Sequence, residues 1–84
     1  MTINEQVRTF IIGSFYVSDA STLTDDLSLI DSGIVDSTGM LDVILYLEGE
    51  FDISVLDDET VPENLETISR IAAYVARKQA QAAA

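Results

Sequence analysis

Asp36 and Ser37 form the step of this sequence whose residue types and placement are best suited to chemistry. Gly33 stands three residues before the pair, and an apolar run begins at Met40. A serine in the first turn of a helix has an exposed hydroxyl, and the unpaired amide groups of that turn favour an anionic group. Asp36 can cap such a helix. An Asp-Ser pair is also an ordinary helix start, so the pair alone does not decide the function.

The remaining catalytic inventory is small because the sequence contains neither cysteine nor histidine. Disulfides, thiol nucleophiles, imidazole bases, and thiolate or imidazole metal ligands are therefore excluded. The neighbouring carboxylates Asp57 and Asp58 could in principle take part in acid–base chemistry, but nothing in the sequence indicates a cleft around them. We expect a protein that is not itself an enzyme.

A calcium-binding loop is an alternative for the acidic stretch that follows the second predicted helix. An EF-hand loop begun at Asp52 would place Ser54 at its third position and Glu63 at its twelfth. It would also place Leu56 where an oxygen ligand is needed and Asp57 where glycine is needed. The pattern therefore fails, and we expect no metal site.

The charges of this chain are strongly unbalanced and unevenly spread. Its 84 residues carry 15 acidic and 4 basic side chains, a formal net charge of −11, and no Lys or Arg lies between Thr9 and Ser69. Such a surface repels a nucleic-acid backbone and attracts basic partners. A binding module of another class, an acidic mimic of DNA without a prosthetic group, fits the same charge.

The hydrophobic pattern indicates a single domain over residues 1–84. The first residues lack a basic stretch followed by an apolar run, and no segment reaches 18 uninterrupted apolar residues. We expect a cytoplasmic monomer without a membrane span, with a core over about residues 3–78 and a frayed tail over 79–84.

Four helices are predicted, three longer and one short. Thr2 and Glu5 have the spacing of a capping box before a first amphipathic helix over 3–17, and a long but apolar loop follows over 18–36. A second helix is predicted from Ser37 to about Glu50, with Met40, Ile44, Leu47 and Phe51 on one side, Leu41 and Val43 flanking them, and only a narrow polar arc.

The second half of the chain contains the short helix and the last long one. Pro62 limits any helix that starts near Asp57 to about one turn. Thr67 can cap a last helix whose buried stripe is Ile68, Ile71, Ala72 and Val75. The fold class is therefore an all-α four-helix bundle with a long first loop.

Two segments together resemble a known family. Residues 29–40 read Leu-Ile-Asp-Ser-Gly-Ile-Val-Asp-Ser-Thr-Gly-Met, and residues 47–53 read Leu-Glu-Gly-Glu-Phe-Asp-Ile. The combination is similar to the discrete, type II acyl carrier proteins, whose Asp-Ser step receives a 4′-phosphopantetheine arm from coenzyme A. The resemblance spans nearly the whole chain and implies a four-helix bundle of acyl-carrier type.

The resemblance implies a role for each residue of the Asp-Ser step. Ser37 would be the attachment site, with its hydroxyl attacking the β-phosphate of coenzyme A inside a phosphopantetheinyl transferase. Asp36 would help that transferase to organise Mg²⁺ and activate the serine. A carrier of this kind needs no cysteine, because its thiol arrives on the arm.

The resemblance also implies surfaces for partners and cargo. Ligases, synthases and acyltransferases with basic docking patches would contact the second helix, through Asp36, Thr38, Met40, Asp42 and Glu48. Thr38 stands where most members carry Leu, and Gly39 stands where fatty-acid carriers often place an acid. Glu50 and the cluster 57–59 are weaker candidates for partner contact.

An acyl chain would lie between the second and third helices, and the short helix would move when cargo enters. The candidate lining residues are Ile44, Leu47, Val55, Val61 and Leu65. For any one of them, plain core packing is an equally good explanation.

The resemblance leaves the pathway of the carrier open. Fatty acid, polyketide or a related biosynthesis are candidates, with lipid metabolism as the general setting. A peptidyl or aminoacyl carrier loaded by an AMP-forming ligase is an alternative, because residues 38–40 and 61–64 are similar to those of such carriers.

Overall fold

The computed structural model describes residues 1–83, and these form an all-helical bundle with no strand. Its helices are α1 (Ile3–Ser14), α2 (Ser37–Phe51), the short α3 (Pro62–Leu65) and α4 (Ile68–Ala83). Two short 3₁₀ turns occur at Ala20–Thr22 and Asp57–Glu59. The predicted fold class is thus confirmed. Within the described residues, no helix combines the length and the apolar character needed to cross a bilayer.

α1 begins where the capping box predicts and ends earlier than expected. The Glu5 amide donates to Thr2 Oγ1 at 3.1 Å, and the Thr2 amide donates to Glu5 Oε1 at 3.2 Å. The helix stops at Ser14 rather than at residue 17, because Phe15 turns to an extended conformation with φ −127° and ψ 161°. Its ring meets the edge of Phe10 instead of continuing the helical stripe.

The long loop between α1 and α2 is packed against the bundle, as its apolar residues predict. Asp25 anchors its first half, because its carboxylate accepts hydrogen bonds from Asn4 Nδ2 and from the Arg8 guanidinium. The Asp25 carbonyl also accepts from the Ser69 amide at 3.0 Å, at the start of α4. Three loop side chains belong to the buried core: Leu23, Leu29 and Val35.

α2 is less central than its sequence suggests. Val43, Leu47 and Phe51 are buried, and Met40 and Ile44 are half-buried beside them. Leu41 and Leu45, however, are 61% and 65% exposed. The accessible surface of α2 therefore includes an apolar stripe in addition to the narrow polar arc predicted from its sequence.

The segment between α2 and α4 is divided into two short turns. The single turn expected near Asp57 is the 3₁₀ turn Asp57–Glu59, and the α-helical turn α3 begins separately at Pro62. Proline is well suited to the first position of a helix, where its missing amide proton leaves no hydrogen bond unmade.

α4 supplies one wall of the core. Thr67 caps it, since its Oγ1 accepts from the Arg70 amide at 3.1 Å. The predicted stripe of Ile68, Ile71, Ala72 and Val75 is buried, and Tyr74, which the sequence analysis did not include, is buried with it. α4 is helical through Ala83, past the point where we expected fraying. Fraying of this end stays a prediction, and Ala84 lies outside the described residues.

Candidate functional site

Ser37 is the first residue of α2, and its side chain is exposed. Asp36 precedes it in an extended conformation, and Asp36 Oδ1 accepts a hydrogen bond from the Gly39 amide at 2.6 Å. This bond satisfies one of the free amide groups of the first helical turn. Ser37 Oγ forms no hydrogen bond within the described residues, so the hydroxyl is available to a reactant.

A tight turn before Asp36 sets the place where α2 begins. Gly33 has a φ of 81°, in the region that L-residues with a side chain rarely adopt, and its amide donates to the Ile30 carbonyl at 3.0 Å. The Val35 amide then donates to the Leu29 carbonyl, and the Leu29 amide donates to the Glu66 carbonyl. The turn is thereby tied to the residues just before α4. Because Val35 is fully buried, the next two residues are held at the surface in a fixed position.

A groove of about 450 Å³ opens beside Ser37. It lies between the second half of the long loop, the first turn of α2 and the segment that contains α3. Ser37 is itself part of the lining, and the apolar residues around it are Ile30, Met40, Val61, Pro62 and Leu65. The groove is large enough for a short chain, and the Ser37 side chain in its lining is exposed to solvent.

Only part of the predicted cargo lining faces this groove. Val61 and Leu65 line it, whereas Leu47 is completely buried in the core beneath α2. Ile44 and Val55 are half-buried and pack against the core, and they are not among the residues that line the groove. Ile30 and Pro62 were not predicted as lining residues, because no spacing signal marks them, and Met40 was predicted as a partner contact alone.

The residues predicted to meet partners differ in their accessibility. Asp36, Thr38 and Asp42 are exposed, and Met40 is half-buried at the groove. Glu48 is half-buried and engaged inside the chain, since its Oε2 accepts from the Val55 amide at 3.0 Å. This hydrogen bond fixes the segment that follows α2 against the helix.

An apolar stripe of α2 escaped the sequence analysis. Leu41 and Leu45 are four residues apart, which places them on one face of the helix, and both are largely exposed. Asp42 lies beside them. The signal that could have identified the stripe is the apolar i, i+4 pair itself; Leu41 was placed at the flank of the apolar side, and Leu45 was not assigned to a face.

Glu59 fixes the far wall of the groove to α4. Its Oε1 accepts from Lys78 Nζ at 2.9 Å, from the Leu56 amide at 3.1 Å and from the Tyr74 hydroxyl at 2.8 Å. These three donors, Lys78 first, lower the pKa of Glu59 from 4.5 to about 2. Burial, together with the Glu59 carboxylate, raises the pKa of Tyr74. Within the cluster 57–59, only Asp57 and Asp58 are exposed, so Glu59 is occupied inside the fold.

Each of the four basic side chains of the chain has a partner within the fold. Arg8 binds Asp25, Arg70 lies 3.4 Å from Glu66, and Lys78 binds Glu59. The fourth, Arg77, donates to Asn64 Oδ1 at 2.7 Å. No basic residue lines the groove or belongs to α2. Within the described residues, Glu66 in the groove lining is thus paired with Arg70, whereas Asp31 and Asp36 near Ser37 form no ion pair.

Comparison with known proteins identifies relatives of two kinds, although no family model matches the chain. The D-alanyl carrier protein of Streptococcus mutans is 34% identical over 61 residues, which cover 73% of this chain and 76% of that protein. The D-alanyl carrier protein of Lactococcus lactis is 41% identical over 54 residues, covering 64% and 68%. The acyl carrier protein of Akkermansia muciniphila is 30% identical over 78 residues, covering 93% and 94%.

These relatives and the structure lead to the same family. The bundle has the predicted number of helices, and the match to the acyl carrier protein extends over nearly the whole length of both chains. The chain therefore belongs to the acyl carrier protein family, and its role is that of a carrier protein.

Proposed function

We propose that this carrier holds acyl groups on a 4′-phosphopantetheine arm attached to Ser37 Oγ and delivers them to partner enzymes. The observation that carries the proposal is the exposed Ser37 hydroxyl at the start of α2, on the rim of a groove of about 450 Å³. When attached, the arm supplies the thiol that holds an acyl group as a thioester, so the protein needs no cysteine of its own.

The residues around Ser37 fit such a group. In the attachment reaction, Ser37 Oγ forms a bond to the β-phosphorus of coenzyme A and adenosine 3′,5′-bisphosphate leaves. The hydroxyl proton passes to a base of the phosphopantetheinyl transferase. The free amides of the first turn of α2 favour the phosphodiester that results. Asp36 holds that turn through one carboxylate oxygen, and its other oxygen is available to Mg²⁺ in the transferase.

The groove is suited to shelter the cargo. Its apolar side chains, among them Ile30, Val61 and Leu65, can cover a short acyl chain and keep water from it. The protein acts as a substrate for other enzymes and performs no reaction itself. We place its work in the cytoplasm, in fatty acid, polyketide or a related biosynthesis.

Partner enzymes are recruited by charge. The phosphopantetheinyl transferase, and the ligases, synthases and acyltransferases that follow it, would approach with basic patches. Asp36, Thr38 and Asp42 are exposed to meet them, and Met40 is reached through the groove. Glu48 is a less accessible contact, because it already binds the Val55 amide. Attraction between opposite charges raises the rate of encounter more than the final affinity.

Aminoacyl cargo is a second candidate. Two carboxylates, Asp31 and Glu66, line the groove together with its apolar residues. Glu66 is paired with Arg70, so Asp31 is the lining carboxylate without an ion pair in the described part of the chain. An ammonium group on the cargo would be attracted there, whereas a negatively charged cargo would be repelled. Two of the relatives are D-alanyl carrier proteins, which agrees with a ligase that loads an amino acid.

Intact mass measurement tests the attachment site. The purified protein is incubated with coenzyme A, Mg²⁺ and a broad-specificity phosphopantetheinyl transferase, with Ser37→Ala as the matched control. We expect one 4′-phosphopantetheine addition on the original chain and none on the variant. A chain whose mass never changes would refute the carrier arm and favour the acidic DNA mimic.

Loading with different coenzyme A thioesters separates the two cargo classes. The transferase can attach octanoyl or alanyl arms directly, and the rate of thioester hydrolysis is then measured for the original chain and for Asp31→Asn. If the groove holds an ammonium group, the variant should lose the alanyl group faster and keep the octanoyl group unchanged. Equal effects on both thioesters would remove the support for aminoacyl cargo.

A further inference from the structure

Gly39 is placed where no larger residue fits. A Cβ atom built on it would lie 2.7 Å from Cε1 of Phe15 and 3.1 Å from Oδ1 of Asp36. Contacts of 2.7 Å between a Cβ and another carbon do not occur without a shift of one of the two. The other glycine of α2, Gly49, has nothing within 4 Å of its Cβ position. Of the two glycines, only Gly39 is required by the close approach of another side chain, that of Phe15.

The Phe15 ring occupies the space that a side chain at position 39 would need, which we call the notch, and this ring packs against other aromatic residues. Phe15 meets the edge of Phe10 with ring centroids 6.2 Å apart, and Phe10 stacks on Tyr46 with centroids 4.0 Å apart and planes 11° from parallel. The Tyr46 hydroxyl donates to the Gln6 carbonyl at 3.2 Å, which ties this row to α1. The Phe15 ring therefore cannot retreat without disturbing a stack that joins α1 to α2.

The notch lies at the turn that carries Ser37. The amide of Gly39 is the donor that Asp36 Oδ1 accepts, so a side chain at position 39 would press on both the ring and the capping carboxylate. Phe15 is also the residue at which α1 ends and the chain becomes extended. Its position thus determines how closely the end of α1 approaches the first turn of α2.

We propose that Phe15 is a positioning residue for the modification of Ser37. Its ring, seated in the notch left by Gly39, fixes the first turn of α2 and with it the direction of the Ser37 hydroxyl. This inference rests on the proposed function, in which Ser37 receives the arm. Phe15 touches neither coenzyme A nor the reacting atoms, and it acts through the Gly39 backbone and the Asp36 cap.

Paired glycine substitutions test the inference. Gly39→Ala and its matched control Gly49→Ala add the same methyl group to the same helix, one against Phe15 and one into open space. The kcat/KM of modification is measured by intact mass, with thermal unfolding recorded for each variant. We expect the kcat/KM of Gly49→Ala to equal that of the original chain. The kcat/KM of Gly39→Ala should be at least about ten-fold lower, because a small displacement of the reacting Ser37 hydroxyl slows the reaction strongly.

The double variant Gly39→Ala/Phe15→Leu distinguishes positioning from general stability. Leucine leaves room for the added methyl group but lacks the ring that fixes the turn, so we expect the double variant to recover only part of the kcat/KM lost in Gly39→Ala. If the Phe15 ring merely filled space, the double variant would reach the kcat/KM of the original chain. Hydrogen exchange at the amide of residue 39 gives an independent readout, and it should be faster in Gly39→Ala than in the original chain.

The outcomes separate this inference from the function on which it rests. If the original chain is modified at Ser37 and Gly39→Ala is modified equally fast, the positioning role is refuted while the carrier function stands. Full recovery of kcat/KM in the double variant, which lacks the Phe15 ring, would also refute it. If the original chain is never modified, the proposed function fails and the positioning role fails with it.

Discussion

Asp52 is the one residue other than glycine with a positive φ within residues 1–83, at φ 54° and ψ 48°, and it follows the last residue of α2. A Cβ atom makes this left-handed conformation costly, but Asp and Asn tolerate it better than other residues. The Asp52 carboxylate also stands at the negative end of the α2 dipole, where a negative charge costs about 0.3–1 kcal/mol. Aspartate at position 52 thus tolerates the left-handed backbone conformation, but its negative charge interacts unfavourably with the α2 dipole.

Two substitutions at this position should change stability in opposite directions. Asp52→Asn keeps the tolerance for the left-handed region and removes the charge, so we expect the free energy of unfolding to rise by about 0.5 kcal/mol. In a domain of this size that corresponds to a Tm higher by about 2–4 °C. Asp52→Ala removes the same charge but adds a left-handed penalty of about 1 kcal/mol, so we expect a net loss of about 0.5 kcal/mol.

Urea denaturation followed by circular dichroism measures both differences. Asp42→Asn is the matched control, because it removes one exposed charge from the middle of the same helix and leaves the net charge of the variants equal. If Asp52→Ala and Asp52→Asn were equally stable, the left-handed conformation at position 52 would carry no penalty for alanine, and this reasoning would be refuted. A gain in Asp42→Asn as large as in Asp52→Asn would assign the effect to general charge repulsion instead.

Three other predictions concern the core, the groove wall and the surface charge. Leu29→Ala should lower the free energy of unfolding by about 2–5 kcal/mol, because this loop side chain is fully buried. Leu45→Ala, at an exposed position, should change it by less than about 0.5 kcal/mol, and urea denaturation measures both values. The Glu59 carboxylate has a pKa of about 2 in the folded chain and 4.5 as its ordinary value, so its stabilisation is complete above 4.5 and lost as the pH falls toward 2. The original chain and Lys78→Met should therefore differ in urea midpoint above pH 4.5, and this difference should shrink as the pH falls to about 2. A difference that does not change with pH would contradict the stabilising pair between Lys78 and Glu59. The kcat/KM of Ser37 modification should fall several-fold between low and high salt, and an unchanged value would mean that the net charge of −11 does not guide docking.

Local signals in the sequence were sufficient for the parts of this protein that neighbouring residues decide. The Thr2–Glu5 capping box and the caps at Asp36 and Thr67 were predicted from spacing, and each forms the expected hydrogen bonds. These features were predictable because a helix cap involves only residues within one turn. The same holds for the position of Ser37 at the start of α2.

Features that join distant elements could not be predicted in the same way. The apolar period of α2 did not show that Leu47 faces the core while Leu41 and Leu45 face solvent, because that choice depends on which neighbours pack against the helix. Glu48 was expected at the surface and instead binds the Val55 amide. The groove lining likewise includes Ile30, which the loop brings beside α3.

The sequence by itself determined the number of helices, the acidic balance and the place of Ser37 at the start of α2, since composition and local spacing carry that information. The tertiary structure alone decided why residue 39 must be glycine, because the Phe15 ring that excludes a side chain there comes from another helix end. It also decided that the basic residues are all bound within the fold, so that, in the part of the chain that the structure describes, Asp31 and Asp36 near Ser37 have no ion-pair partner. Such contacts depend on how the elements pack, and no short segment of the chain encodes them.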